Sequence, residues 1–460
     1  MSHRKEESPS ALPLLRSSER DDGSGSGSKS GSGSGSGSGS KASLSGSVFN
    51  LSTTIIGAGI MALPAAMKVV GVSVGVASIV FLAFLTHTSL EILLRFSRAA
   101  KATTYAHLMG DAFGSSGALL FHVAVLLNNF GILVVYVIII GDVLSGTSSS
   151  GVHHFGVLEG WFGQCFWTDR TFVLLLATLF VFAPLAFFKR IDSLRHSSAL
   201  AVALAIVFLL ITAGITFFKL FNGSITSPRM LPNITDVSSI WNLFTAVPVL
   251  VTAFVCHYNV HTIENELGEP SLMQPVIRAS LVLCSSIYIL TALFGFLLFG
   301  ESTLDDVLAN FDSDLGIPYS SLLNDIVRIS YALHLMLVFP VIFFSLRFNL
   351  DDLIFPSARS LDLDHRRFVL ITIGLITSIY VAANFLPSIW DVFQFTGATA
   401  TVCLGFIFPA AISIRDPHGI ATKKDKVLSI VMIFLAVFSN LVALYSNAEA
   451  LFRKHVDPHQ

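Results

Sequence analysis

The chain has 460 residues, 53% hydrophobic and 13% charged, with a mean hydropathy of +0.72. Soluble domains carry about 25% charged residues, so this composition excludes an ordinary water-soluble fold. The formal net charge of −2 gives no global basic field for nucleic acid. Four scattered cysteines (Cys165, Cys256, Cys284, Cys403) do not make a disulfide scaffold.

Residues 1–42 form a separate region. Mixed charges (Arg4, Lys5, Glu6, Glu7) lead into a Gly/Ser run from Gly23 to Ser40, a composition that cannot bury a core and predicts a flexible coil on the cytosolic side. A charged start followed by a short apolar core and cleavage site is missing, so a signal peptide is not expected. Leu14–Leu15 could belong to a dileucine-type sorting signal, although no acidic residue stands four positions before it.

From Ser43 onward there are eleven apolar segments, numbered here in chain order: 44–69, 72–95, 118–145, 171–188, 196–220, 240–265, 275–299, 322–346, 367–386, 389–412 and 425–446. Each is long enough for a hydrocarbon core of about 30 Å. A segment in lipid must satisfy its own backbone, so the prediction is an all-α polytopic membrane protein with 11 transmembrane helices. The even alternation of a transmembrane barrel is absent.

Of the 28 lysines and arginines, 21 fall on the side of the N-terminus, 6 on the other side, and Arg328 within a segment. The positive-inside rule then makes the N-terminus cytosolic. The sequons at Asn222 (Asn-Gly-Ser) and Asn233 (Asn-Ile-Thr) fall on the opposite, lumenal or extracellular side, as glycosylation requires.

Segment 1 contains Ile56-Gly-Ala-Gly-Ile-Met-Ala-Leu-Pro64. Gly57 and Gly59 cost about 1 kcal/mol each in a helix, and Pro64 lacks a donor. An unwound stretch near Gly57–Gly59 follows, whose free amides can meet a carboxylate at the positive end of the next half-helix. Close helix packing through small residues is the other reading of Gly-x-Gly in a membrane. Segment 6 turns from Ala253-Phe-Val-Cys to His257-Tyr-Asn-Val-His-Thr-Ile-Glu264. Polar residues at membrane depth face a cavity or a partner; alternatively the segment ends near Cys256. Breaks five segments apart run in opposite directions, which is the sequence sign of an inverted-repeat transporter.

These residues resemble the amino acid/auxin permease family, in particular its vacuolar amino acid transporter branch, and are similar to sodium-coupled neutral amino acid transporters. Ser47-Val-Phe-Asn-Leu-Ser with Ile56–Pro64 carries the likeness in segment 1, and Ala253–His257, Val260, Ile263 and Glu266-Leu267 carry it in segment 6. Asn128-Asn-Phe-Gly131, Tyr136 and Ile138–Asp142 resemble segment 3 of the family. Val327-Arg328, Phe339-Pro340 and Leu346-Arg347 resemble segment 8; Gly397-Ala-Thr399 and Phe408-Pro409 resemble segment 10.

The resemblance implies a LeuT-like 5+5 inverted repeat plus one helix. Residues 43–220 would be the first repeat, 221–415 the second, and 416–460 segment 11 with a short lumenal or extracellular C-terminus. It implies a free amino acid as substrate, a monomer in a lipid bilayer, and a vacuolar membrane ahead of endoplasmic reticulum or plasma membrane. Amides around Gly57, Ala58, Gly59 and Ile60 would hold the carboxylate. Carbonyls of Phe254, Val255 and Cys256 with Thr53 or Thr54 would hold the ammonium. Asn128 and Tyr136 would line the side-chain pocket, and His257 closes the set. Where sodium-coupled members carry Asn in segment 1 and Thr in segment 8, Thr53, Met336 and Val338 stand here. Met and Val side chains offer no oxygen to a hard cation, so the expectation is proton coupling or uniport, with no other cofactor or metal. The family's paired lumenal cysteines are also missing.

His257 is the leading candidate for a coupling proton because histidine titrates near neutrality; Glu264, Glu266 and His334 are the others. Arg328 is expected to snorkel or pair with Asp325, and the acidic run from Glu301 to Asp314 is expected to be a solvated loop. A membrane enzyme would need a clustered nucleophile or metal site, and no His-Glu-x-x-His or Gly-x-Ser-x-Gly occurs. A sodium-coupled amino acid symporter and an amino acid sensor without net transport are the remaining alternatives, and the Gly/Ser tail offers a sensor no folded signalling domain.

Overall fold

The computed structural model describes residues 42–149, 152–386 and 389–456. The tail with Leu14–Leu15 lies outside them. All eleven apolar segments coincide with helix. Among the described residues, eight helices can cross a membrane by length and composition, and Leu44–Ile55 with Gly59–Val70 makes a ninth if the bent pair is one span. Segments 4 and 10 are shorter apolar helices, Arg170–Ala186 and Thr399–Arg415.

Segment boundaries differ from expectation where polar residues continue a helix beyond its apolar stretch. Segment 3 begins at Tyr105 rather than 118, because Thr104 caps it by accepting the His107 amide at 3.1 Å. It turns at Gly114, whose φ of 71° suits glycine. Segment 8 continues to Ile354 and segment 11 to Val456. A short antiparallel strand pair, Thr147–Ser149 with Val152–His154, follows segment 3.

Segments 3 and 8 are inner elements, with 78% and 83% of their most apolar windows buried, whereas segments 9 and 11 are peripheral at 28% and 33%. Segment 8 packs on segments 3 and 5, and segment 7 on both halves of segment 1. The second half of segment 1 lies against the first half of segment 6, and the first half against the second. That reciprocal contact is what two broken helices running in opposite directions produce, and it brings both breaks together inside the molecule.

The acidic run is not uniformly solvated. Asp306 caps Leu308 at 2.9 Å and Asp312 pairs with His154 at 2.6 Å. The apolar residues between them (Val307, Leu308, Phe311) are buried, which draws the loop down onto the helices.

Candidate functional site

Segment 1 ends its first helix at Ile55, and Ile56 is extended (φ −75°, ψ 104°). The helix restarts at Gly59, bent by 53° from the first half. Pro64 is not the breaker: it sits inside the second half, packed where Gly295 of segment 7 leaves room. Segment 6 is interrupted by Val255 (φ −72°, ψ 122°) and Cys256 (φ −143°, ψ 1°), and resumes at His257. The alternative of a segment ending near Cys256 is therefore excluded. No glycine or proline marks this break.

Tyrosines take up the freed main-chain groups. The Tyr288 hydroxyl of segment 7 lies 2.6 Å from the Ile55 carbonyl and 2.7 Å from that of Ala253, sharing one proton between the two breaks. Tyr331 of segment 8 donates to the Gly57 carbonyl at 2.6 Å. The Tyr136 hydroxyl of segment 3 bonds the Ala58 main chain and fills the space where a Gly57 Cβ would stand. A Cβ on Gly59 would lie only 3.0 Å from the Ala253 Cα, so the two breaks touch backbone to backbone. Asn259, beyond the second break, donates to Thr54 at 3.2 Å, and Thr54 donates to the Asn50 carbonyl at 2.9 Å.

A cavity of about 10 Å³, room for about one water, lies at the breaks. It brings together Thr54, Gly57, Ala58, Gly59, Tyr136 and Val255 of the expected site. Ile132, Thr252 and Phe393 also line it and were not foreseen. Thr53 instead donates to the Ser198 carbonyl of segment 5 at 3.1 Å. Asn128 bonds Asn129 and accepts from Thr401 of segment 10 at 2.6 Å. Ile60, Phe254 and Cys256 are buried away from its walls.

The four proton candidates separate. Arg98 pairs with Glu264 at 3.0 Å on the surface. Glu266 accepts the amides of Ile191 (3.1 Å) and Asp192 (2.6 Å), which ties segment 6 to the loop before segment 5. Ser89 donates to the Gly405 carbonyl, so it must accept from His257, whose Nε2 is 3.1 Å away. His257 thus faces segments 2 and 10 rather than the cavity. His334 lies fully buried between segments 8, 5 and 1, with Nδ1 at 2.7 Å from the Ala201 carbonyl.

The two ends of the molecule differ. At the Lys/Arg-rich end, a cavity of about 390 Å³ lined by Tyr105, Lys189, Arg190, His261 and Asp352 reaches Tyr258, just past the second break. At the other end Arg328 donates to the carbonyls of Phe155 (2.6 Å) and Val143 (3.4 Å), among Asp312, Asp325 and Asp306. Asp325 also accepts from Trp161 at 2.8 Å. Burial pushes the Asp306 carboxyl up to about 6, opposed by its Leu308 hydrogen bond and the Arg328 charge. Asn222 and Asn233 are exposed, Asn222 immediately after segment 5.

A family model described as transmembrane amino acid transporter protein matches residues 40–452. Amino acid transporter AVT6A of Arabidopsis thaliana is 64% identical over 414 residues, covering 90% of each chain. Among solved structures, a point mutant of the manganese transporter of Eremococcus coleocola is similar with a TM-score of 0.55 at 12% identity, covering 89% of this chain and 87% of that one. MhsT in complex with L-phenylalanine is similar with a TM-score of 0.53 at 15% identity, covering 89% of this chain and all 100% of that one. These likenesses give the fold, which is LeuT-like.

Proposed function

Because the chain belongs to the transmembrane amino acid transporter family, we propose that it moves free α-amino acids across a membrane by alternating access, independently of sodium and driven by protons. Residues 43–220 and 221–415 are the two repeats, with segment 11 added. The observation that carries this reading is the meeting of two helix breaks around Gly57. Short of side-chain bulk, the Gly57–Gly59 stretch offers main-chain amides and the positive end of the Gly59–Val70 helix to a carboxylate. Tyr136, whose hydroxyl fills the Gly57 notch, withdraws or turns to admit one. Phe393, Ile132 and Thr252 then bound the side-chain space.

The 390 Å³ cavity at the basic end supports access from the cytosol, while Arg328 and the His154–Asp312 pair seal the opposite end. A vacuolar membrane fits that seal, since its ion pairs and the Asp306 carboxyl would face an acidic lumen. Sodium independence rests on Met336 and Val338, which bring no oxygen from segment 8.

The test is purified protein in liposomes, challenged with a panel of neutral, acidic and basic amino acids. Uptake should respond to an imposed pH gradient and be unchanged when choline replaces sodium. Strong sodium dependence would overturn the coupling, and absence of flux or exchange for every amino acid would overturn the transporter reading.

A further inference from the structure

We propose that His334 is the residue that takes up the coupling proton, and that the proton ties segment 8 to the break in segment 1. The proposal rests on the proton-driven transport read above and names its site. Three observations carry it.

First, His334 keeps an unpartnered ring nitrogen inside the bundle, as His257 and His261 do, and its place beside the first break sets it apart. His257 and His261 each meet a serine hydroxyl whose own proton is committed to a carbonyl: Ser89 to Gly405, and Ser97 to Leu93 at 2.9 Å. Each serine can therefore accept, and one ring N–H satisfies that contact in the neutral state. Their Nδ1 atoms make no hydrogen bond, and His334 shows the same pattern with Nδ1 and Nε2 exchanged. Its Nδ1 must donate, because the Ala201 carbonyl can only accept. Its Nε2 is then a lone pair, and it makes no hydrogen bond.

Second, the remaining polar neighbour of the ring is the Ile56 main chain. The Ile56 amide is already committed to the Ser52 carbonyl at 2.7 Å, so what is open to the ring is another acceptor. A neutral imidazole cannot donate to both sides, whereas an imidazolium can. Taking up a proton at Nε2 creates an N–H that can close on the Ile56 carbonyl, and releasing it removes that donor.

Third, Ile56 is the extended residue of the break, next to Gly57, whose carbonyl is held by Tyr331 one turn earlier on segment 8. The Tyr331 and His334 rings lie 4.8 Å apart. Segment 8 thus grips residues 56 and 57, while the cavity and Tyr136 approach the same stretch through Gly57 and Ala58. A proton and an amino acid then bias one short piece of backbone, which is the condition for reciprocal coupling between two ligands.

The groups facing His334 are the Ala201 carbonyl from segment 5, the Ile56 main chain from segment 1 and the Tyr331 ring from its own helix. Tyr136 of segment 3 and Asp306 of the loop before segment 8 act on Tyr331, and Asp142 of segment 3 is occupied by Arg170 at 3.2 Å.

His334→Asn is the informative variant, since its amide nitrogen can keep the bond to Ala201 but cannot take a proton. In liposomes, a pH difference of about one unit supports at most about tenfold accumulation at one proton per amino acid. Wild type should accumulate substrate toward that limit. His334→Asn should exchange labelled for unlabelled substrate at close to the wild-type rate yet equilibrate to a ratio of about 1. Proton-driven accumulation by His334→Asn at the wild-type level would overturn the proposal. Should that variant fail to insert, His257→Gln decides: retained accumulation supports His334, and loss of accumulation with exchange intact moves the site to segment 6 and overturns it. Exchange without any proton response in wild type sinks this proposal together with the proton drive it rests on, and leaves amino acid transport standing. Absence of both exchange and accumulation sinks the transporter reading with it.

Discussion

The two helix breaks do the same job with different materials. The first uses glycine: Gly57 gives room to the Tyr136 hydroxyl, and Gly59 lets Ala253 approach to within ordinary backbone contact. The second has side chains throughout, Phe254, Val255, Cys256 and His257, all buried, and is held open by its surroundings. Glycine is needed where something must come close to the chain; the second break, which interrupts segment 6 but receives no neighbour through a missing Cβ, manages without it. The first break is therefore the one where added bulk should be intolerable.

The largest expected effect tests that difference directly. Gly57→Leu should reduce transport to background while surface expression and detergent monodispersity stay normal, because the new side chain collides with Tyr136 and fills the cavity. Val255→Leu at the second break should keep measurable flux in the same assay. Equal sensitivity at both positions would erase the distinction.

Tyr288→Phe strikes both breaks at once by leaving the buried Ile55 and Ala253 carbonyls without their shared donor. A loss of about 1–3 kcal/mol in stability is expected, read as a drop in melting temperature in detergent. Tyr331→Phe removes the donor of one carbonyl only and should cost about 1 kcal/mol. An unchanged melting temperature for both would mean that the breaks are stabilised otherwise.

Acidity should act through the first break's neighbourhood. The segment that Asp306 caps packs against the second half of segment 1. Burial raises the Asp306 carboxyl from its ordinary 3.8 to about 6, so the folded state favours the proton. Its contribution to stability is fully present below about 3.8 and is lost as pH rises through about 6. Lowering pH from 7 to 5 should raise the melting temperature, and Asp306→Asn should remove that increment. The smallest effect is expected at the outer end of the second break: Glu264→Gln loses only the half-exposed pair with Arg98, worth about 0–1 kcal/mol. Transport and its proton dependence should be unaltered; a lost pH response would bring Glu264 back as a coupling group.

Much of this was legible in the chain, for physical reasons that also set the boundary. Long apolar runs in lipid leave helix as the only open form, so segment positions could be read. Gly57 and Gly59 announced the first break, and the turn to His257-Tyr-Asn announced the second. Thr53 and Thr54, however, point about 100° apart on a helix, and only packing decides which faces the cavity; it is Thr54. For the same reason the sequence does not show that Asn128 stands off the cavity walls and accepts from Thr401. Tyr288 and Tyr331 carry no motif that singles them out, although a hydroxyl deep in hydrocarbon needs a partner, and that requirement is the available signal.

Tyr288 has one hydrogen and two claimants. While segments 1 and 6 stay close, both oxygens can crowd around it; once they part, one of them must find a new donor. An incoming ammonium group carries three N–H donors and could relieve the abandoned oxygen, so the arrival of cargo and the separation of the two helices would be paid for by the same exchange of hydrogen bonds.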